Sequence, residues 1–201
     1  MHKILLASRN EGKLREIQAL LSDLDFELVL PVQMGLDLHV KEDGKTYAEN
    51  AALKAQAFAQ ASGLLTLADD TGLEVAALGG KPGLYSARFA PQPGATNADR
   101  RAYLLEQLEP HPRPWSAQFR CVVALSAPNG DTRFVEGICP GEIIPEERGQ
   151  HGFGYDPIFL ITSIGRTMAE LAMNEKNHLS HRSRAVHAAR PHLSEMMKKQ
   201  Q

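Results

Sequence analysis

The stretch "KILLASRNEGKLREIQALL", Lys3 to Leu21, joins an apolar run to a helical pattern through one polar turn. Ile4 to Ala7 is a continuous apolar run of strand length, whereas Leu14, Ile17, Leu20 and Leu21 recur at the three- and four-residue spacing of one helix face. A strand feeding a helix opens a βαβ unit, and the following segments continue the alternation: "FELVLPV" (26–32), "TYAENAALKAQAFAQASG" (46–63) and "LLTLAD" (64–69). Thr46 with Glu49 three residues on fits a capping box, and Gly63 fits a helix stop. Further along, "WSAQFRCVVALSAP" and "TRFVEGICPGEI" flank Asn129-Gly130, which predicts an antiparallel hairpin with a type I′ turn. The expected fold is therefore α/β with a mixed sheet flanked by helices. The Pro-rich "EPHPRPW" (109–115) reads as a surface loop, and "MAELAMNEKNHLSHRSRAVHAA" (168–189) as an amphipathic helical tail ending near Pro191.

With 201 residues and 43% apolar content the chain can bury a substantial core, and one domain over 1–201 is expected. A formal charge of -2 provides no global positive field, which argues against a nucleic acid polymer or an anionic membrane as partner. Any anionic ligand must meet local cations. Cys121 and Cys139 show no metal-ligand spacing and read as core residues of a protein in a reducing compartment. The N-terminus runs straight into a strand without a signal-peptide core, so a cytoplasmic location is expected.

Four clusters carry chemistry. In the first, Ser8 to Lys13, a Gly-containing strand-to-helix turn aims backbone N–H groups and the positive end of a helix dipole at one point, a seat for phosphate. Ser8 and Asn10 add hydrogen-bonding groups and Lys13 a charge; Asn10 alternatively serves only as the helix cap. The turn lacks the GxxxxGK[ST] spacing of a Walker A loop. The second cluster is "ADDTG" (68–72), read as a loop at the carboxyl end of a strand, where open α/β sheets place ligands. Adjacent residues of an extended segment point in opposite directions, so Asp69 and Asp70 should divide two tasks, one binding metal and one holding the loop. Both as turn formers is the alternative. Glu42 and Glu49 could join an oxygen-rich Mg²⁺ site, although Glu49 also has its capping role; Lys54 shares a helix face with Asn50.

The third cluster is "GQHGFGYDP" (149–157), where Phe153 or Tyr155 could stack on a planar base and Asp156 could accept hydrogen bonds, or the loop could pack on its own core. In the fourth, "NEKNHLSHRSR" (174–184), Lys176, His178, His181, Arg182 and Arg184 crowd one segment, and His with Arg could donate to a purine carbonyl. A phosphate seat, hard oxygen ligands, an aromatic platform and polar readers together suit a nucleotide.

"SRNEGKLREI", "TYAENAALKA", "ADDTGLEVAALGGKPGLYSARFA", "HGFGYDPIF" and "MAELAMNEKNHLSHRSRA", in this order, closely resemble the inosine/xanthosine triphosphate pyrophosphatase family, over residues 3 to about 190. The resemblance implies an elongated mixed sheet with a nucleotide-binding groove between two lobes, a homodimer, and Mg²⁺-dependent hydrolysis of dITP, ITP and XTP to monophosphate and pyrophosphate. It implies that Ser8, Arg9, Asn10, Glu11, Gly12 and Lys13 form the triphosphate loop, that Lys54 faces the phosphates, and that Thr71 contacts substrate. Asp70 matches the family's general base and metal-associated aspartate, and Glu42 a Mg²⁺ ligand. Phe153, Gly154, Tyr155 and Asp156 match the base-binding segment, Lys176 a nucleotide-contacting lysine, and His181 with Arg182 the readers of the 6-keto purine. Two positions depart from the family pattern: "SRN" stands where "TGN" is common, and Asn174 where a glutamate is usual. Competing readings are a pyrophosphatase for other modified nucleotides, like the Maf group, and a sensor that binds a triphosphate without cleaving it.

Overall fold

A computed structural model describes residues 2–199. The opening stretch forms strand β1 (His2–Leu6) and helix α1 (Glu11–Leu21). Strand β2 (Phe26–Val29) follows and lies parallel to β1, with Ile4 opposite Leu28. It stops short of the apolar run's end because Pro31, which has no N–H to donate, opens a 3₁₀ turn over Pro31–Met34. Helix α2 (Tyr47–Ser62) starts where Thr46 Oγ1 accepts from the Glu49 N–H at 3.1 Å and ends at left-handed Gly63. The Glu49 carboxylate accepts from the Lys45 N–H at 2.5 Å, one residue before the cap.

Strand β3 (Leu65–Val75) pairs in parallel with β1 and corrects one sequence expectation. "ADDTG" lies inside this strand, not in a loop after it. The period-two pattern continues through buried Leu73 and Val75, so apolar burial extends the strand past the aspartates. Helix α3 (Asn97–Leu108) is closed by a capping box from Thr96 and Asp99, and the Pro-rich loop leads into β4 (Trp115–Ser126). A hairpin joins β4 to β5 (Thr132–Ile143), but its turn is not type I′. That turn needs positive φ at both central residues, and among the described residues only glycines have it. Pro128 fixes its own φ in the negative range, Gly130 takes φ 92°, and the Gly130 N–H bonds the Ala127 carbonyl at 2.9 Å.

Strands β6 (Phe159–Ile161) and β7 (Arg166–Thr167) add antiparallel, giving a seven-stranded mixed sheet of order β2-β1-β3-β4-β5-β6-β7. Helices α4 (Met173–Leu179) and α5 (His181–Lys198) close the chain. Helix α5 does not end near Pro191 but contains it, because Leu193 and Met196 beyond the proline are buried core residues that hold the last turns in place. Among the described residues no helix is long and apolar enough to cross a membrane.

The chain divides into two compact units. The first comprises 1–70, 121–137 and 182–201. Its stretch of sheet is covered on both faces, and the pleat sorts the side chains. Ile4, Leu6, Leu65, Leu67, Cys121 and Val123 meet α1 and α5 on one face; Leu5, Ala68 and Ala124 meet Ala51, Ala55 and Phe58 of α2 on the other. Beside Phe58 the α2 contact is made by small residues, with Ala51, Ala55 and Ala59 fully buried. The second unit comprises 71–120 and 138–181 and has its own core, including Leu73, Leu104, Trp115, Phe119, Cys139, Phe159 and Met168. Both cysteines are buried and neither forms a disulfide, as expected of core residues.

One charged group interrupts the apolar face of the first unit. Glu16 on α1 is 3% exposed and forms a close ion pair with Arg182 of α5, itself 1% exposed. Arg182 also lies 3.6 Å from Asp69 of β3. Breaking a buried pair strands the surviving charge, so Glu16→Ala should lower stability by about 3 kcal/mol and the melting temperature by roughly 10 °C, measured by calorimetry.

Candidate active site

In the first unit, Asn10 caps α1 with extended φ/ψ of -83° and 108°, its Oδ1 accepting from the Lys13 N–H at 3.1 Å. Ser8 Oγ accepts from the Asn10 N–H at 3.2 Å, which tightens the turn. Glu11 and Gly12 open the helix, with Glu11 in the first turn, where a negative side chain complements the dipole. Arg9 turns aside: its guanidinium donates to Asp37 at 2.5 Å and to the Leu38 carbonyl at 3.1 Å.

The strand pleat sends the two aspartates to opposite faces, as the sequence predicts. Asp69, 2% exposed, faces α1 and α5, where Lys13 Nζ reaches it at 2.9 Å beside Arg182. Burial alone would favour the neutral acid, but Lys13, Arg182 and the more distant Lys54 outweigh it and hold the Asp69 carboxyl far below the usual range. Asp70 faces α2. Asn50 Nδ2 donates to its Oδ2 at 3.1 Å, while Lys54, one turn further along α2, holds Glu42 at 2.7 Å. Here burial wins, and the Asp70 carboxyl is raised above its ordinary 3.8 despite Lys54, Asn50 and Lys13, with Glu42 adding to the rise. The structure thus gathers Lys13, Glu42, Asn50, Lys54, Asp69 and Asp70 around one stretch of β3. Thr71 follows on the same strand, half-buried.

The donor set fits Mg²⁺. Asp70 and Glu42 offer hard oxygens, the Glu42 charge opposes ionisation of Asp70, and a divalent cation would relieve that repulsion. Among the described residues no group of three or more His, Cys, Asp or Glu assembles.

In the second unit, the Phe153–Asp156 turn is built around one carboxylate oxygen. Asp156 Oδ2 accepts from the Phe153 N–H at 2.9 Å and from Lys176 Nζ at 2.7 Å, and Lys176 lies 5.2 Å from the Phe153 ring centroid. Lys176 and Asp156 are both buried. Tyr155 is directed inward: its ring joins the core, its hydroxyl donates to the Ser86 carbonyl at 2.9 Å, and burial raises its pKa. Phe153, only partly buried, is the more accessible of the two rings. The Gly154 carbonyl accepts from Arg101 at 2.9 Å, and Arg101 also grips Glu147 through two nitrogens. His181 stacks on Phe119 with centroids 4.7 Å apart and planes at 17°.

Sequence reasoning named neither Glu16 nor Arg101, and it named Asn50 only as a neighbour of Lys54. Glu16 did leave a signal, since it lies next to Ile17 and four residues before Leu20, inside the apolar stripe of α1.

Backbone donors at a helix start, lysines on two helices and two carboxylates are the groups that can meet a phosphate chain and its cation. That arrangement defines a phosphate-handling enzyme of the α/β class. The chain belongs to the Ham1 family, whose sequence profile matches residues 4–192. A Desulforamulus reducens protein named dITP/XTP pyrophosphatase is 46% identical over 188 residues, 93% of each chain. A Geobacter sulfurreducens protein of the same name is 45% identical over 194 residues, 96% of this chain and 97% of its own. The solved structure of a HAM1 protein from Coxiella burnetii matches with a TM-score of 0.88 at 43% identity, over 97% of this chain and all of its own.

Gly152 tests the turn in the second unit. At φ +76° a side chain is strained, and a Cβ there would stand 2.0 Å from Asp156 Oδ2. Gly152→Ala should therefore cost about 2 kcal/mol in denaturant unfolding, whereas Gly154→Ala, which meets no neighbour within 4 Å, should cost about 1 kcal/mol through φ alone.

Proposed function

We propose that this protein hydrolyses the triphosphates of deaminated purines, dITP, ITP and XTP, to the monophosphate and pyrophosphate, and so cleanses the nucleotide pool. The observation that carries this reading is the pair Asp70 and Glu42, held by Asn50 and Lys54 beside the α1 turn, in a chain 46% identical to a dITP/XTP pyrophosphatase.

In this assignment the Ser8–Lys13 turn takes phosphate oxygens on the N–H groups of Glu11 and Gly12 at the helix start, and Lys13 and Lys54 stabilise charge that moves onto the departing pyrophosphate. Asp70 and Glu42 would hold Mg²⁺, which when bound would neutralise phosphate charge. Asp70 is also assigned as general base for the attacking water. Phe153, with Gly154, Tyr155 and Asp156 forming its turn, and Lys176 are assigned to the base end of the nucleotide. His181 and Arg182 read the O6 edge, where adenine's amino group would leave a donor unpaired. Arg9 supports the phosphate turn through Asp37, Glu11 lies in the first helical turn, and Thr71 contacts substrate. The location assigned is the cytosol, where the pool lies, and the assembly a homodimer, as the family resemblance implies.

The test is pyrophosphate release from dITP, XTP, dATP and dGTP at equal concentration, with Mg²⁺ or with EDTA. Rapid Mg²⁺-dependent release from dITP and XTP, with dATP and dGTP nearly untouched, is the expected result; release from none of them would overturn the assignment. Asp70→Asn should lower kcat roughly 10²–10⁴-fold. An acid whose pKa is raised by folding adds stability below its unfolded value and loses that contribution as pH rises through the folded one. Asp70→Asn should therefore melt no earlier than the parent at pH 7 without Mg²⁺, as differential scanning calorimetry would show.

A further inference from the structure

Asn50 is 3% exposed and stands in the first turns of α2, whose cap is Thr46, so it is not itself capping the helix. Asparagine is disfavoured in helix interiors because its amide competes for backbone partners, and a buried one therefore calls for a specific use. Its two ends have different partners. Nδ2 donates to Asp70 Oδ2 at 3.1 Å, and Oδ1 accepts from the Gly44 N–H at 2.9 Å. A backbone N–H can only donate and an ionised carboxylate only accept, so the partners fix which end of the amide faces which.

Gly44 lies two residues after Glu42 in the segment leading into α2. That segment approaches the helix so closely that a Cβ on Gly44 would stand 2.7 Å from Glu49 Cβ and 2.8 Å from Asn50 Oδ1. One turn after Asn50, Lys54 holds Glu42 itself at 2.7 Å. A single face of α2 thus grips both carboxylates, one through an amide and the other through an ammonium group.

We infer that Asn50 is a positioning residue for the metal site: by bridging the Gly44 N–H and the Asp70 carboxylate, it sets the separation of Asp70 and Glu42. This rests on the reading of that pair as the Mg²⁺ ligands. Only a planar amide of this length supplies a donor at one end and an acceptor at the other. Aspartate would set a third negative charge against Asp70, and alanine would leave both partners unmatched.

The experiment compares the parent with Asn50→Ala, Gly44→Ala and Asp70→Asn. One readout is Mn²⁺ binding by electron paramagnetic resonance in the presence of the α,β-methylene analogue of ITP. The other is the Mg²⁺ concentration that half-saturates pyrophosphate release from dITP. In Asn50→Ala both metal constants should weaken roughly 10–100-fold, as for other groups that orient metal ligands. The KM for dITP at saturating Mg²⁺ should change by less than about threefold, because phosphate and base contacts are intact. Gly44→Ala should show the same split, and it decides the matter if Asn50→Ala does not fold. Unchanged metal constants in a folded variant, with the parent Mg²⁺-dependent and Asp70→Asn inactive, would overturn the role of Asn50 and leave the metal site standing. A parent that turns over equally well in EDTA, or an active Asp70→Asn, would remove the metal site and this inference with it.

Discussion

The first unit depends on a buried carboxylate that cannot stand alone. Asp69 is inside a strand covered on both faces, and removing an ionised group from water costs several kcal/mol unless charges and hydrogen bonds replace the solvent. Lys13 arrives from the start of α1 and Arg182 from the start of α5, and Arg182 in turn needs Glu16. Four charges on three separate elements satisfy one another, so β3, α1 and α5 can settle in only one register. The Ser8–Lys13 turn inherits that rigidity, since the lysine that ends it is anchored to the sheet.

The neighbouring aspartate has the opposite surroundings. Asp69 sits among cations that keep it ionised, while burial dominates at Asp70 and raises its affinity for a proton. One step of the pleat thus separates an acid held ionised from one whose burial favours a proton. In the second unit the same economy recurs on a smaller scale, because Asp156 both closes its own turn and neutralises the buried Lys176.

Much of this was legible in the sequence. Apolar periodicity placed β1, α1 and α2, and the alternation of a strand predicted that Asp69 and Asp70 would diverge. What local patterns could not show were partners distant along the chain. Glu16 reads as an ordinary helical glutamate until Arg182, separated from it by 166 positions, closes over it. The Asn-Gly pair suggested one turn type, but Pro128 before it selects another. Pro191 reads as a helix end, and only the burial of Leu193 and Met196 shows why the helix continues. The aspartates looked like loop residues because two adjacent charges seldom lie inside a strand; ion pairs and an amide contact from three different helices make the exception stable.

The alanines of α2 acquire a meaning beyond packing. Ala51, Ala55 and Ala59 have no side chain past Cβ, so the helix lies nearly flush with the strands beneath it. That closeness lets a side chain as short as asparagine touch the sheet. A larger residue at Ala51 or Ala55 would lift the helix axis and carry Asn50 and Lys54 away together, opening both grips in one movement. The alanine row acts as a gauge block, a fixed spacer against which Asp70 and Glu42 are set, so that residues with no polar group of their own govern where two carboxylates stand.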